Sequence, residues 1–128
     1  MLEDTDYFME QNQITHPELV RALAKPGQKI IEGLTSQSAH NLHMVVGIIG
    51  EAGELLDAVK KQAIYCKPLD MENVVEELGD LEFYLQGLRS SLGITREQTL
   101  QGNIAKLSKR YASLTYSDQA AQERADKA

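Results

Sequence analysis

Leu42, Val45, Ile49, Ala52, Leu56, Val59 and Ala63 recur at intervals of three or four residues without a break. That period belongs to an α-helix, and its length constrains the fold more than any other feature of the chain. Thr35 and Ser36 are both good N-caps, so one long helix is expected from there to about Tyr65. After Lys67-Pro68-Leu69, a second stripe carries Val74, Leu78, Leu81, Leu85, Leu88 and Leu92, with Asp70 placed to open it and Gly93 to close it in a left-handed conformation. Thr95-Arg96-Glu97-Gln98 has the form of a capping box and starts a third long helix, reaching about Tyr111. A shorter amphipathic piece runs from about Pro17 to Lys25 and is broken by Pro26-Gly27; Gln28 to Leu34 is ambiguous. From Ser113 the sequence is polar and Ala-rich, either a short helix or mobile. No alternating run of β-branched and aromatic residues competes with these helices. The expected fold class is therefore all-α, a helical bundle. A single domain over 1–128 is expected, with an N-terminal helical segment over about 1–34 and a polar tail over about 112–128.

Charge and composition remove several function classes. Thirteen Lys and Arg stand against 19 Asp and Glu, a net charge of −6, where a duplex-binding module is usually basic, so no nucleic-acid partner is expected. No apolar run approaches the roughly 20 residues of a membrane span, so no membrane partner is expected either. The one cysteine, Cys66, cannot form an intrachain disulfide. The opening Met1-Leu2-Glu3-Asp4 lacks the basic and apolar regions of a signal peptide, and a cytoplasmic location is the expectation. Any anionic ligand must be met by local positive charge or by a metal.

Two of the helices carry acidic pairs three residues apart, Glu51 with Glu54 and Glu77 with Asp80. Residues three apart share a helix face, so each pair can aim two carboxylates at one spot. Mg²⁺ takes oxygen ligands and commonly uses a few carboxylates together with substrate phosphates. At about 100° per residue, Glu77 and Asp80 fall on one flank of the leucine stripe, with Tyr84 beyond them, while Glu76 points to water. The first pair lies opposite the main apolar stripe of its helix, yet Met44, Gly47, Gly50 and Ala58 share that side. Small and apolar residues among acids mark a face that another helix or a ligand approaches. Lys61 lies close to the same line, placed to pair with an acid or to reach a phosphate.

With these motifs in hand the sequence resembles a known family. Gly50-Glu51-Ala52-Gly53-Glu54-Leu55, Glu76-Glu77-Leu78-Gly79-Asp80-Leu81 and Asn103-Ile104-Ala105-Lys106-Leu107-Ser108-Lys109-Arg110-Tyr111 resemble, in order, the MazG-like nucleoside triphosphate pyrophosphohydrolases of the all-α NTP pyrophosphatase superfamily. Many members carry a further Glu where this chain has Gly50. The resemblance implies a helical bundle completed by assembly into a homodimer or homotetramer. It implies hydrolysis of a nucleoside triphosphate, usually a deoxynucleotide, to the monophosphate and pyrophosphate, in control of the nucleotide pool. Glu51, Glu54, Glu77 and Asp80 would ligate Mg²⁺, with Mn²⁺ as a substitute, and Glu51 or Glu54 would take the proton of the attacking water. Asn103, Lys106 and Arg110, which share one helix face by spacing, would hold the phosphates, with Lys61 a further candidate.

Other features point elsewhere or nowhere. His40 and His43 share the first acidic helix, but no Glu-x-x-His occurs in the chain, so a ferritin-like di-iron site lacks its ligands. These histidines are expected to flank a core face or a base pocket. Cys66 reads as a buried or idle thiol, and Lys109 as solvated. The rival from another class is a non-catalytic helical oligomerisation or regulatory module. A third reading, a phosphatase or kinase-like enzyme with the same metals, differs in the bond cut.

Overall fold

The computed structural model describes residues 13–127, which form two compact units divided after Thr35. In the first unit, helix α1 spans His16–Leu23 and helix α2 spans Gly27–Gly33. Thr15 caps α1 through a complete capping box: the Glu18 amide donates to its hydroxyl, and the Glu18 carboxylate accepts from its amide. Pro17 occupies the first turn, where its missing N–H costs nothing. The ambiguous segment after Pro26 is thus helical, and the α1 helix ends two residues short of Lys25.

The second unit carries α3 (Ser36–Tyr65), α4 (Met71–Leu92), α5 (Arg96–Arg110), α6 (Asp118–Glu123) and a 3₁₀ turn at Ala125–Lys127. Local chemistry sets these ends. Asp70 accepts from the Asn73 amide at the start of α4. Gly93, at φ 68°, closes α4 in the left-handed region where the absence of a Cβ removes the penalty. Thr95 and Gln98 cap α5 reciprocally. No strand occurs among the described residues, and none of their helices is long and apolar enough to cross a membrane.

The helices α3 and α4 pack antiparallel along most of their length. Near one end Ser91 Oγ donates to Asn41 Oδ1 at 2.6 Å and Gln37 Nε2 to the Ser91 carbonyl at 2.8 Å. One step inward Met44 fills the space that a side chain at Gly87 would need, and farther along the Tyr84 ring lies against Gly47. Met44 (5% exposed) and Ala58 (7%) are the buried apolar residues of this seam among the described residues.

The seam corrects one expectation. The stripe Leu42, Val45, Ile49, Ala52, Leu56, Val59 and Ala63 is not an inner face of the chain; all of it is exposed, Ile49 to 68% and Leu56 to 67%. The opposite side of α3, with its acids and small residues, is the one α4 covers. The reason is steric: Gly47 and Gly87 accept Tyr84 and Met44, giving the two backbones a close approach that no pair of bulky stripes provides. On α4 the leucine stripe is half-buried at Leu81, Leu85 and Leu88, and exposed at Leu78 and Leu92. Elsewhere in the unit, α5 packs against α6 and the terminal turn.

Candidate active site

The α3–α4 seam brings Glu51, Glu77 and Asp80 together, each offering one carboxylate oxygen within 4.8 Å of the other two. The helical spacing explains it: Glu77 and Asp80 sit one turn apart on α4, and Glu51, one turn beyond Gly47 on the antiparallel partner, faces them. Glu77 is the inner member, 7% exposed, while Glu51 is half-buried and Asp80 exposed. Glu76 is exposed, as its position on the wheel implies.

Three carboxylates at this range have no donor among them when ionised. Glu77 Oε2 is buried without a hydrogen-bond partner. Only a proton or a cation resolves such an arrangement. In the metal-free protein the proton does so: the Glu77 pKa is pushed from 4.5 up to about 7, first because its protonated form bonds to Glu51, then by burial, then by Glu54. A hard divalent cation is the alternative occupant, since every group present is an oxygen ligand and the charge to be balanced is negative. The donor set therefore fits Mg²⁺ or Mn²⁺ and offers nothing to a soft metal.

The remaining candidates are placed as follows. Glu54 lies outside the tight trio; it is exposed and reaches only far enough to act on Glu77. Lys61 pairs with Asp57 at 2.9 Å, both side chains more than half exposed, an ordinary pair one helical turn apart. Its amine is held charged by that carboxylate, and Asp57 is lowered in turn. Lys60 stands over the Tyr65 ring. His43 is exposed and contacts the Tyr84 ring edge-on, with centroids 6.1 Å apart; His40 is exposed, and neither belongs to the acidic trio. Cys66 is exposed rather than buried, at the end of α3 with φ 54°.

On α5 the three residues expected to hold phosphates have different surroundings. Asn103 lines a cavity of about 340 Å³ between α5 and the loop Leu114–Tyr116. Lys106 is exposed and makes no ion pair among the described residues, and Lys109 is exposed as expected. Arg110 is held by Asp126 of the terminal turn: Nε donates to Oδ1 at 2.7 Å and Nη2 to Oδ2 at 3.1 Å. Nothing in the sequence announces Asp126, an acid in a polar, Ala-rich segment with no periodicity.

The carboxylate trio and the α5 residues fall within one stretch that matches a family model. Residues 39–115 match the MazG nucleotide pyrophosphohydrolase domain. No curated protein and no solved structure matches the chain. The match spans more than half of the chain and takes in all four signature carboxylates, and the all-α architecture agrees with it: the chain belongs to the MazG nucleotide pyrophosphohydrolase family.

Proposed function

We propose that the protein is a Mg²⁺-dependent nucleoside triphosphate pyrophosphohydrolase, acting on a deoxynucleotide and releasing the monophosphate and pyrophosphate. The observation that carries this reading is the buried, unpartnered Glu77 oxygen within a trio of like charges. A structural carboxylate at that depth is normally paired. A carboxylate that only a proton satisfies until a cation replaces it is the expected resting state of a metal-dependent hydrolase.

Glu51, Glu77 and Asp80 would hold the ion, with Glu54 beside them. A divalent cation held there would offset the carboxylate charge and supply Lewis-acid activation of a phosphoryl oxygen and of a water. The water attacks the α-phosphorus in line, the α–β bridging bond breaks, and pyrophosphate leaves. Glu54, exposed and outside the trio, would take the proton of the water, with Glu51 left to ligation. Lys106, which makes no ion pair among the described residues, would supply net positive charge to the phosphates, Arg110 directed donors, and Asn103 a bond to a sugar or phosphate oxygen. Lys61 reaches a phosphate only by leaving Asp57, an exposed pair that is cheap to break.

Assembly belongs to the same reading. The exposed α3 stripe is too apolar for a permanent solvent face, and a second copy covering it in a homodimer or homotetramer removes it from water. The chain acts as one nucleotide-hydrolysing module, without nucleic acid or membrane, in the cytoplasm.

Incubation of the pure protein with Mg²⁺ and a panel of NTPs and dNTPs tests the reading. Monophosphate plus pyrophosphate is the expected product pair, with deoxynucleotides preferred. Diphosphate plus orthophosphate would move the cleavage to the terminal phosphate, and no turnover of any nucleotide would favour a non-catalytic helical module.

A further inference from the structure

One face of α5 opens on a cavity that no member of the acidic trio lines. Ile104 and Leu107 from the helix and Leu114 from the loop after it give this space of about 340 Å³ its aliphatic walls. Tyr111 and Tyr116 supply the aromatic part, with ring centroids 5.8 Å apart and planes inclined by 36°. A ring inserted between them would need about 7 Å, twice an ordinary carbon contact, so a planar ligand lies beside the pair and extends it. Asn103 and Ser108 belong to the same lining and bring an amide and a hydroxyl, groups that both donate and accept.

The loop is built at a cost. Leu114 has φ 56°, in the left-handed region where a Cβ is crowded, and its amide donates to the Tyr111 carbonyl at 2.7 Å. The Tyr116 hydroxyl donates to Asp118 Oδ1 at 2.6 Å, which ties the ring to the start of α6. Yet Leu114 is 79% exposed and Tyr116 70%, so neither the strain nor the anchoring serves to bury these side chains. Strained residues gather at ligand clamps and sites, where the strain holds a shape that a ligand uses. The volume is near the lower end of small-molecule pockets, and a mostly apolar lining with a few polar groups is their usual composition.

We propose that this cavity is a nucleoside site: a base stacks beside the Tyr111–Tyr116 pair against Ile104 and Leu107, with Asn103 and Ser108 as its hydrogen-bond partners. The choice of a nucleoside among planar ligands rests on the nucleotide reading above. The site itself uses neither the metal nor the phosphates.

Amide chemical-shift titration of the full chain in EDTA with adenosine, guanosine, cytidine, uridine and thymidine tests it. Saturable shifts over residues 103–116 are expected with at least one nucleoside. Tyr116→Ala should weaken that binding at least about fivefold, the low end of what one stacked ring contributes, and Tyr116→Phe should retain it. Ile104→Glu, which puts a charge in the apolar wall, should abolish it. The absence of saturable shifts with every nucleoside, shifts confined to the α3–α4 seam, or binding undiminished in Tyr116→Ala overturns the inference. So does an oligomer that Ile104→Glu dissociates in a chain that binds no nucleoside, since a second copy then covers this face. A chain that hydrolyses nucleoside triphosphates without binding free nucleosides fails this inference alone. One that binds nucleosides at 103–116 but cleaves no nucleotide upholds it and fails the hydrolase reading.

Discussion

The α3–α4 seam and the α5–terminal turn contact each bury a carboxylate, and they meet its charge in opposite ways. Asp126 is almost fully covered and receives two donors from Arg110, which hold its carboxyl below the usual range. Glu77 is also buried, but its neighbours are Glu51, Glu54 and Asp80, and the hydrogen bond of its protonated form to Glu51, followed by burial, raises it. A buried acid with a matched cation of the chain's own is a finished structural element. A buried acid among other acids is incomplete, and the missing charge has to come from outside the chain. That contrast, more than the number of acidic residues, locates the functional site.

Removing the inner acid should have the largest effect. Glu77→Gln is expected to lower turnover at least about 100-fold, beyond the 10–100-fold typical of groups that merely support metal ligands. The same substitution should raise the melting temperature of the metal-free protein at pH 8, since it deletes a repelled buried charge. Steady-state kinetics and metal-free melting curves check the two halves. A structural Glu77 would show the reverse, a fall in stability with activity retained.

Next in size is the exposed stripe. Ile49→Glu should convert an associated species to the monomer in sedimentation, because it places a charge in the face assigned to a second copy. A wild-type chain already monomeric at the same concentration would remove that assignment. Gly47→Ala should destabilise by about 1–3 kcal/mol, as a Cβ there overlaps the Tyr84 ring. Chemical denaturation measures it.

The titration of Glu77 gives a pH dependence of defined sign. Its pKa lies at about 7 in the folded protein against 4.5 ordinarily, so the folded state binds more protons between those values. The contribution of this group to stability is complete below about pH 4.5 and is lost as pH rises through about 7. Metal-free melting temperature should therefore fall over that window, and the rise produced by Mg²⁺ should be larger at pH 8 than at pH 5. The smallest effect is a control on the other side of the comparison: Gly102→Ala in α5, where an added Cβ meets open space, should stabilise by about 0.5–1 kcal/mol through helix propensity alone.

What the sequence discloses divides along physical lines. Helix ends are set by neighbours in the chain, so the Thr95–Gln98 box, the Asp70 cap and the left-handed Gly93 are all legible in advance. The convergence of Glu51, Glu77 and Asp80 is legible too, because three-residue spacing on two consecutive helices restricts where their oxygens can go. Which face of α3 is inside is not. It depends on Met44 finding Gly87 and Tyr84 finding Gly47, contacts some forty residues apart in sequence, and the only advance sign is the small residues scattered among the acids. The segment after Pro26 has too few periodic residues to be recognised as α2. Asp126 is illegible altogether: its role exists only once the terminal turn has folded back onto α5.

Binding of Mn²⁺ at pH 8, followed by the loss of free-ion EPR signal, addresses the acidic trio most directly. The expected result is saturable binding to the wild-type chain that is strongly weakened in both Glu51→Gln and Asp80→Asn. Binding that is absent from the wild type, or undiminished in those two variants, would contradict the assignment of Glu51, Glu77 and Asp80 as a divalent-cation site.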